Sequence, residues 1–152
     1  MHRSSFAKSL ADLKSRGVRL TPQRQMILRY LKETHEHPTA EQIYHQVSQE
    51  FASISMATVY NTLHRLTELG VIRELSYGDM SSRYDGNDSE HAHLVCEVCG
   101  KVADVPCPPI ERFTSPELFA HGYAVGSYRL EFYGHCPDCQ QSGAGQRDSE
   151  LN

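Results

Sequence analysis

The sequence predicts an α+β protein, with an N-terminal winged helix-turn-helix domain and a small C-terminal α/β domain built around four cysteines. Three observations lead there. Apolar residues recur at helical spacing up to Gly70. The pattern then switches to period two. Beyond that come two Cys-x-x-Cys pairs with 36 residues between them.

The helices come in order. SFAKSLADLKS is a short first candidate. TPQRQMILRYLKETH opens with Thr21 as N-cap and Pro22 at the first helical position, where a missing N–H costs nothing. Ile27, Leu28 and Leu31 line its inner face. HPTAEQIYHQVSQEF restarts with Thr39 and Gln42 at capping-box spacing, and Ile43 and Val47 face inward. SISMATVYNTLHRLTELG carries an apolar stripe of Met56, Val59, Leu63 and Leu66 and stops at Gly70. Thr58, Asn61 and Arg65 form a second, polar stripe on it. VIRELSY and SSRYD then alternate as strands, with a turn expected around Gly78-Asp79. Helices followed by a hairpin give the winged-helix order, in which the last helix enters a major groove. Asn61 and Arg65 can donate to base edges or phosphates, and the Thr58 methyl can meet a thymine methyl. The candidate DNA contacts are Arg19, Arg24, Thr58, Tyr60, Asn61 and Arg65.

In the C-terminal part, HAHLVCEVCGKVADV reads as two strands around a knuckle at Cys96 and Cys99. YRLEFYGHCPDCQ supplies another strand and a second knuckle at Cys136 and Cys139, and PPIERFTSPELFAHG between them is a helix candidate. Four thiolates form a closed, soft donor set that selects zinc or iron–sulfur chemistry; with no open position, a zinc there is structural. Such a site contributes on the order of 10 kcal/mol to folding. Cys107 has no partner and reads as a free thiol.

With the cysteines assigned to one metal, His91 and His93 remain. They stand two apart on a strand and so point to one face. Asp85, Asp104 and a histidine of HEHP, His35 or His37, lie at hand for a harder nitrogen-and-oxygen site. That set suits Fe(II), Mn(II) or Zn(II). Spacing alone does not choose between the two histidines of HEHP.

Composition bounds the rest. Of 152 residues, 39% are hydrophobic and 22% charged, which excludes a disordered chain. Residues 1–86 carry 11 Lys and Arg against 9 Asp and Glu, and residues 87–152 carry 4 against 10. A nucleic-acid-facing first module and an acidic second one fit this split. No apolar run approaches the ~20 residues of a membrane span. The N-terminus has no signal-peptide core, so a cytoplasmic location without membrane association is expected. The expected divisions are a DNA-binding domain over 1–84, a hinge over 85–90, a metal-binding domain over 91–140, and a disordered tail over 141–152.

VRLTPQR, HPTAEQIY, ATVYNTL, YGDMSSRYD, HAHLVCEVCGKVAD and LEFYGHCPDC together resemble, in order, the motifs of the ferric uptake regulator family, over residues from about 10 to 140. The chain is most similar to its peroxide-sensing repressor branch. Asp85 and Asp104 stand where iron-uptake members typically have glutamates. The resemblance implies a homodimer, with 91–140 as a dimerisation domain, bound to a palindrome in double-stranded DNA. It implies structural Zn(II) on Cys96, Cys99, Cys136 and Cys139, and regulatory Fe(II) or Mn(II) on His37, Asp85, His91, His93 and Asp104. It further implies sensing by iron-catalysed oxidation of His37 or His91 to 2-oxo-histidine, a stoichiometric event and not enzyme turnover. Some members have a third metal site with a histidine in the strand before the second knuckle. Here Ser127 and Tyr128 stand there, and no third site is expected.

Three rivals remain. An iron, manganese or zinc uptake regulator shares the fold and differs in its signal. A zinc deaminase needs His-x-Glu before Pro-Cys-x-x-Cys and an open zinc, whereas His-x-His and four cysteines stand here. A redox protein would have one reactive Cys-x-x-Cys pair at a helix start, not two matched knuckles.

Overall fold

Each N-terminal helix begins where a hydroxyl can accept from an otherwise unpaired backbone N–H. In the computed structural model, Ser5 caps α1 (Phe6–Ser15), Thr21 caps α2 (Pro22–Glu33) and Ser55 caps α4 (Met56–Glu68). Thr39 and Gln42 form a full capping box on α3 (Ala40–Ser48). The structure describes residues 4–78, 80–107, 116–126 and 128–143. The chain divides into two units, Met1–Ser89 and Glu90–Asn152.

In the first unit, Ile27, Leu28 and Leu31 of α2, Ile43 and Val47 of α3, and Val59, Leu63 and Leu66 of α4 are buried in one cluster. Each such side chain contributes about 1.5–3 kcal/mol through the apolar area it removes from water. Val71 and Ile72 also turn into this core. The strand expected over 71–77 is therefore shortened to β1 (Arg73–Leu75), antiparallel to β2 (Arg83–Asp85). Residues 76–78 and 80–82 lie outside the strands, and Asp79 of the expected turn lies outside the described residues.

Strand β2 is also joined to the segment before α3. Thr39 and Arg83 form an antiparallel bridge, and the Tyr84 N–H donates to the Pro38 carbonyl at 2.9 Å. The chain leaving β2 lies against α2. A Cβ on Gly86 would stand 2.1 Å from the Leu31 carbonyl oxygen, so only glycine fits. The buried Lys32 ammonium donates to the Val71 carbonyl at 3.0 Å and stands 3.7 Å from the Asp88 carboxylate. That carboxylate also accepts the Ser4 N–H at 2.7 Å.

The second unit has a three-stranded sheet in the order β4 (Val102–Pro106), β3 (His91–Cys96), β5 (Glu131–Gly134). β3 and β4 are antiparallel around the first knuckle, and β5 runs parallel to β3. A parallel neighbour needs a crossover connection. Of the helix expected over 108–122, the described part includes α5 (Pro116–Phe119), and 108–115 lie outside the described residues. Helix α6 (Pro137–Gln141) begins at the second knuckle, with Cys136 as its N-cap residue. The expected tail lies outside the described residues beyond 143.

Candidate metal centres and DNA-facing surface

The knuckles bring the sulfurs of Cys96, Cys99, Cys136 and Cys139 within 4.8 Å of one another. All four are free thiols, and the Cys99 and Cys136 sulfurs are 3.7 Å apart. A disulfide would need about 2 Å. Four sulfurs ~2.3 Å from a tetrahedral zinc stand ~3.8 Å from one another, so the spacing fits zinc. The thiols are not equivalent in how readily they take negative charge. Burial pushes the Cys96 thiol up, but the N–H groups of Cys136, Cys99 and Val98 outweigh it and bring it down to about 6. The Cys136 N–H lies 3.3 Å from that sulfur. Hydrogen bonding to Cys136, and then burial, push Cys139 up to about 12.

On β3, His91 and His93 project from one face, with their Nε2 atoms 2.9 Å apart. Asp104 lies opposite His93 on β4. Its carboxylate stands 3.2 Å from His91 Nε2 and 3.6 Å from His93 Nε2. Two nitrogens bound ~2.1 Å from one metal at a right angle stand ~3 Å apart, so this trio fits a divalent cation. The imidazole side chains are 5% and 4% exposed and the carboxylate 29%, which leaves its side the more open.

In the first unit, His37 and Asp85 are both buried, and His37 Nε2 lies 3.7 Å from Asp85 Oδ1. That oxygen accepts the Asn87 N–H at 2.8 Å. His35, the other histidine of HEHP, is exposed. Cys107 lies elsewhere, with its sulfur 3.3 Å from the Tyr128 hydroxyl.

Among the candidate DNA contacts, Tyr60, Asn61, Arg65 and Arg19 are exposed, and Thr58 and Arg24 are half-buried. Tyr60, Asn61 and His64 of α4 line a groove of about 440 Å³ whose other wall includes Glu74 and Ser82 of the hairpin. Sequence reasoning missed Glu41. Its Oε1 accepts the Tyr60 hydroxyl at 3.0 Å, which raises the phenol's pKa. The Glu41 carboxyl is lowered, first by its own backbone N–H and then by Tyr60. Nothing in the spacing of these residues, 19 apart, signals the pair.

Comparison with known proteins follows the same lines. The sequence pattern of the Ferric uptake regulator family matches residues 15–133. The chain is 43% identical over 136 residues to the peroxide-responsive repressor PerR of Staphylococcus epidermidis, covering 90% of this chain and 91% of that protein. It is 45% identical over 133 residues to the peroxide-responsive repressor PerR of Staphylococcus aureus, covering 88% and 90%. Among solved structures, the peroxide stress regulator of Campylobacter jejuni is similar with a TM-score of 0.64 at 33% identity, over 86% of this chain and 98% of that one. The Helicobacter pylori ferric uptake regulator has a similar fold, with a TM-score of 0.77 at 24% identity, over 92% and 97%.

Proposed function

Because the chain belongs to the ferric uptake regulator family, we propose that it is a metal-dependent transcriptional repressor that senses hydrogen peroxide. The observation that carries this reading is the pair of aligned imidazoles beside Asp104, separate from the four-cysteine cluster. A soft closed set and a hard open set on one chain serve different ends. The four cysteines hold zinc and hold the second unit's fold. His91, His93 and Asp104, completed by His37 and Asp85, hold Fe(II) or Mn(II).

In this reading His37 and Asp85 come from the winged-helix unit and the other three ligands from the second unit. Shared coordination favours one arrangement of the two. Two copies in that arrangement present their α4 helices to successive major grooves of a palindromic operator. Arg19, Arg24, Thr58, Tyr60, Asn61 and Arg65 contact the DNA. In the second unit, exposed Leu94 and Phe132 lie side by side on β3 and β5, an apolar patch suited to a second copy. Fe(II), if held there, would supply cleavage of the peroxide O–O bond, one oxygen passing to the imidazole and the other leaving as water; Mn(II) would take the same ligands without that chemistry. The chain supplies the target, the imidazole of His37 or His91. An oxygenated ring is a poorer ligand, and repression ends with its loss.

The test is peptide mass spectrometry of zinc-replete protein loaded anaerobically with Fe(II) or Mn(II) and then given a small excess of peroxide. One added oxygen on the His37 or His91 peptide, with Fe(II) only, is expected. Unmodified histidines with iron bound, or release from DNA through cysteine oxidation, would sink the peroxide-sensing reading.

A further inference from the structure

We propose that Arg83 is a positioning residue for the regulatory metal, because its guanidinium fixes the backbone of His37. The inference rests on the assignment of His37 and Asp85 as ligands. It adds a residue that touches neither metal nor DNA in that reading.

Arg83 Nη1 donates to the His37 carbonyl oxygen at 2.9 Å. The same strand holds the next residue, since the Tyr84 N–H donates to the Pro38 carbonyl at 2.9 Å. Thr39 and Arg83 form the antiparallel bridge that sets the register. Continuing that register places Pro38 opposite Tyr84 and His37 opposite Asp85. Residues 37–39 thus run antiparallel beside β2, joined to it by the single Thr39–Arg83 bridge, and the two ligands face each other. Their side chains confirm the pairing, with 3.7 Å between His37 Nε2 and Asp85 Oδ1.

The Arg83 bond matters because of what else restrains His37. The following Pro38 already biases its backbone toward extended conformations. The Arg83 bond then holds the His37 carbonyl in one direction within that extended range. The imidazole is buried, so a misplaced ring has little solvent-filled space in which to readjust. Ligand sites tolerate only a few tenths of an ångström, and partners behind the ligands set that precision. Arg83 is itself half-buried, and its planar fork is suited to a fixed acceptor. Lysine can still donate to one carbonyl, but alanine cannot.

The test is titration of the full-length, zinc-replete protein with Mn(II), reading free hydrated Mn(II) by electron paramagnetic resonance. Arg83→Ala is expected to weaken Mn(II) binding about 10- to 100-fold, the range for lost partners of metal ligands. Arg83→Lys is expected to lie closer to wild type than to the alanine variant. Zinc content and the melting of the helical domain should be retained in both. Mn(II) binding by Arg83→Ala as tight as wild type overturns the proposal. So does equal weakening in Arg83→Lys accompanied by a lowered melting temperature, which would mark a structural role only. His37→Ala is the companion measurement. If it also binds as wild type, the ligand assignment has failed; if it loses Mn(II) while Arg83→Ala does not, only the positioning role has failed.

Discussion

In the winged-helix unit, 14 buried residues from Leu13 to Tyr84 form one apolar cluster. In the second unit, the buried apolar residues described are Ala92, Val95, Cys96, Val102 and Cys139, and two of these five are proposed zinc ligands. Leu94, Phe119, Tyr123, Phe132 and Tyr133 of that unit are exposed instead. A small module with so little core among its described residues needs a staple, and in the proposed reading the four-cysteine cluster, holding zinc, is one. The first unit is then expected to keep its fold without its metal ligands, and the second to lose its fold without its cysteines.

The largest expected effect breaks the comparison at its weaker side. Cys96→Ser, or removal of zinc by a chelator, should cost the second unit on the order of 10 kcal/mol, all of its stability. Hydrogen exchange should then show amides of 91–106 losing protection while those of 27–66 keep theirs. Retained protection in 91–106 would mean that the sheet stands without metal. Leu63→Ala is the converse change. Leu63 is 1% exposed, and a cavity there should cost about 2–5 kcal/mol. Thermal melting of the helical unit should fall, with one zinc still bound per chain. Loss of zinc in this variant would show that the two units do not fold separately.

The smallest effect sharpens the comparison at Asp88. Burial pushes its carboxyl up, but the Ser4 hydrogen bonds and the Lys32 charge outweigh it and set it below its ordinary 3.8. A carboxyl lowered in the folded state adds stability that is fully present above 3.8 and is lost as pH falls through the folded value. Asp88→Asn should therefore melt below wild type at pH 6, and the gap should close as pH falls toward 3. A gap independent of pH would assign the loss to packing.

How much of this was legible in the sequence depended on whether the cause was local. Thr21-Pro22 and the Thr39–Gln42 pair mark helix starts because a cap is made within four residues. The apolar stripe of α4 is legible because burial repeats every turn. The cysteine pairs are legible because a knuckle fixes their spacing, and the 3.7 Å between Cys99 and Cys136 follows from two of them meeting. The strand expected over 71–77 was too long, since Val71 and Ile72 fit an alternating pattern and a buried turn equally well. The choice of His37 over His35 needed the family resemblance, and burial of only one of them gives its physical basis. Arg83 and Glu41 were missed because their partners lie 46 and 19 residues away. Long-range hydrogen bonds leave no periodicity to read.

The bridge between Thr39 and Arg83 has a consequence in polymer terms. It makes everything from α3 through the hairpin loop a closed ring of chain, with His37 and Asp85 at its neck. A cation gripping both residues ties that neck as a cross-link would. For a ring of about 48 residues, closure removes roughly 4 kcal/mol of disorder from the opened chain. In the proposed reading, the helix that reads DNA hangs inside a loop whose drawstring is the metal.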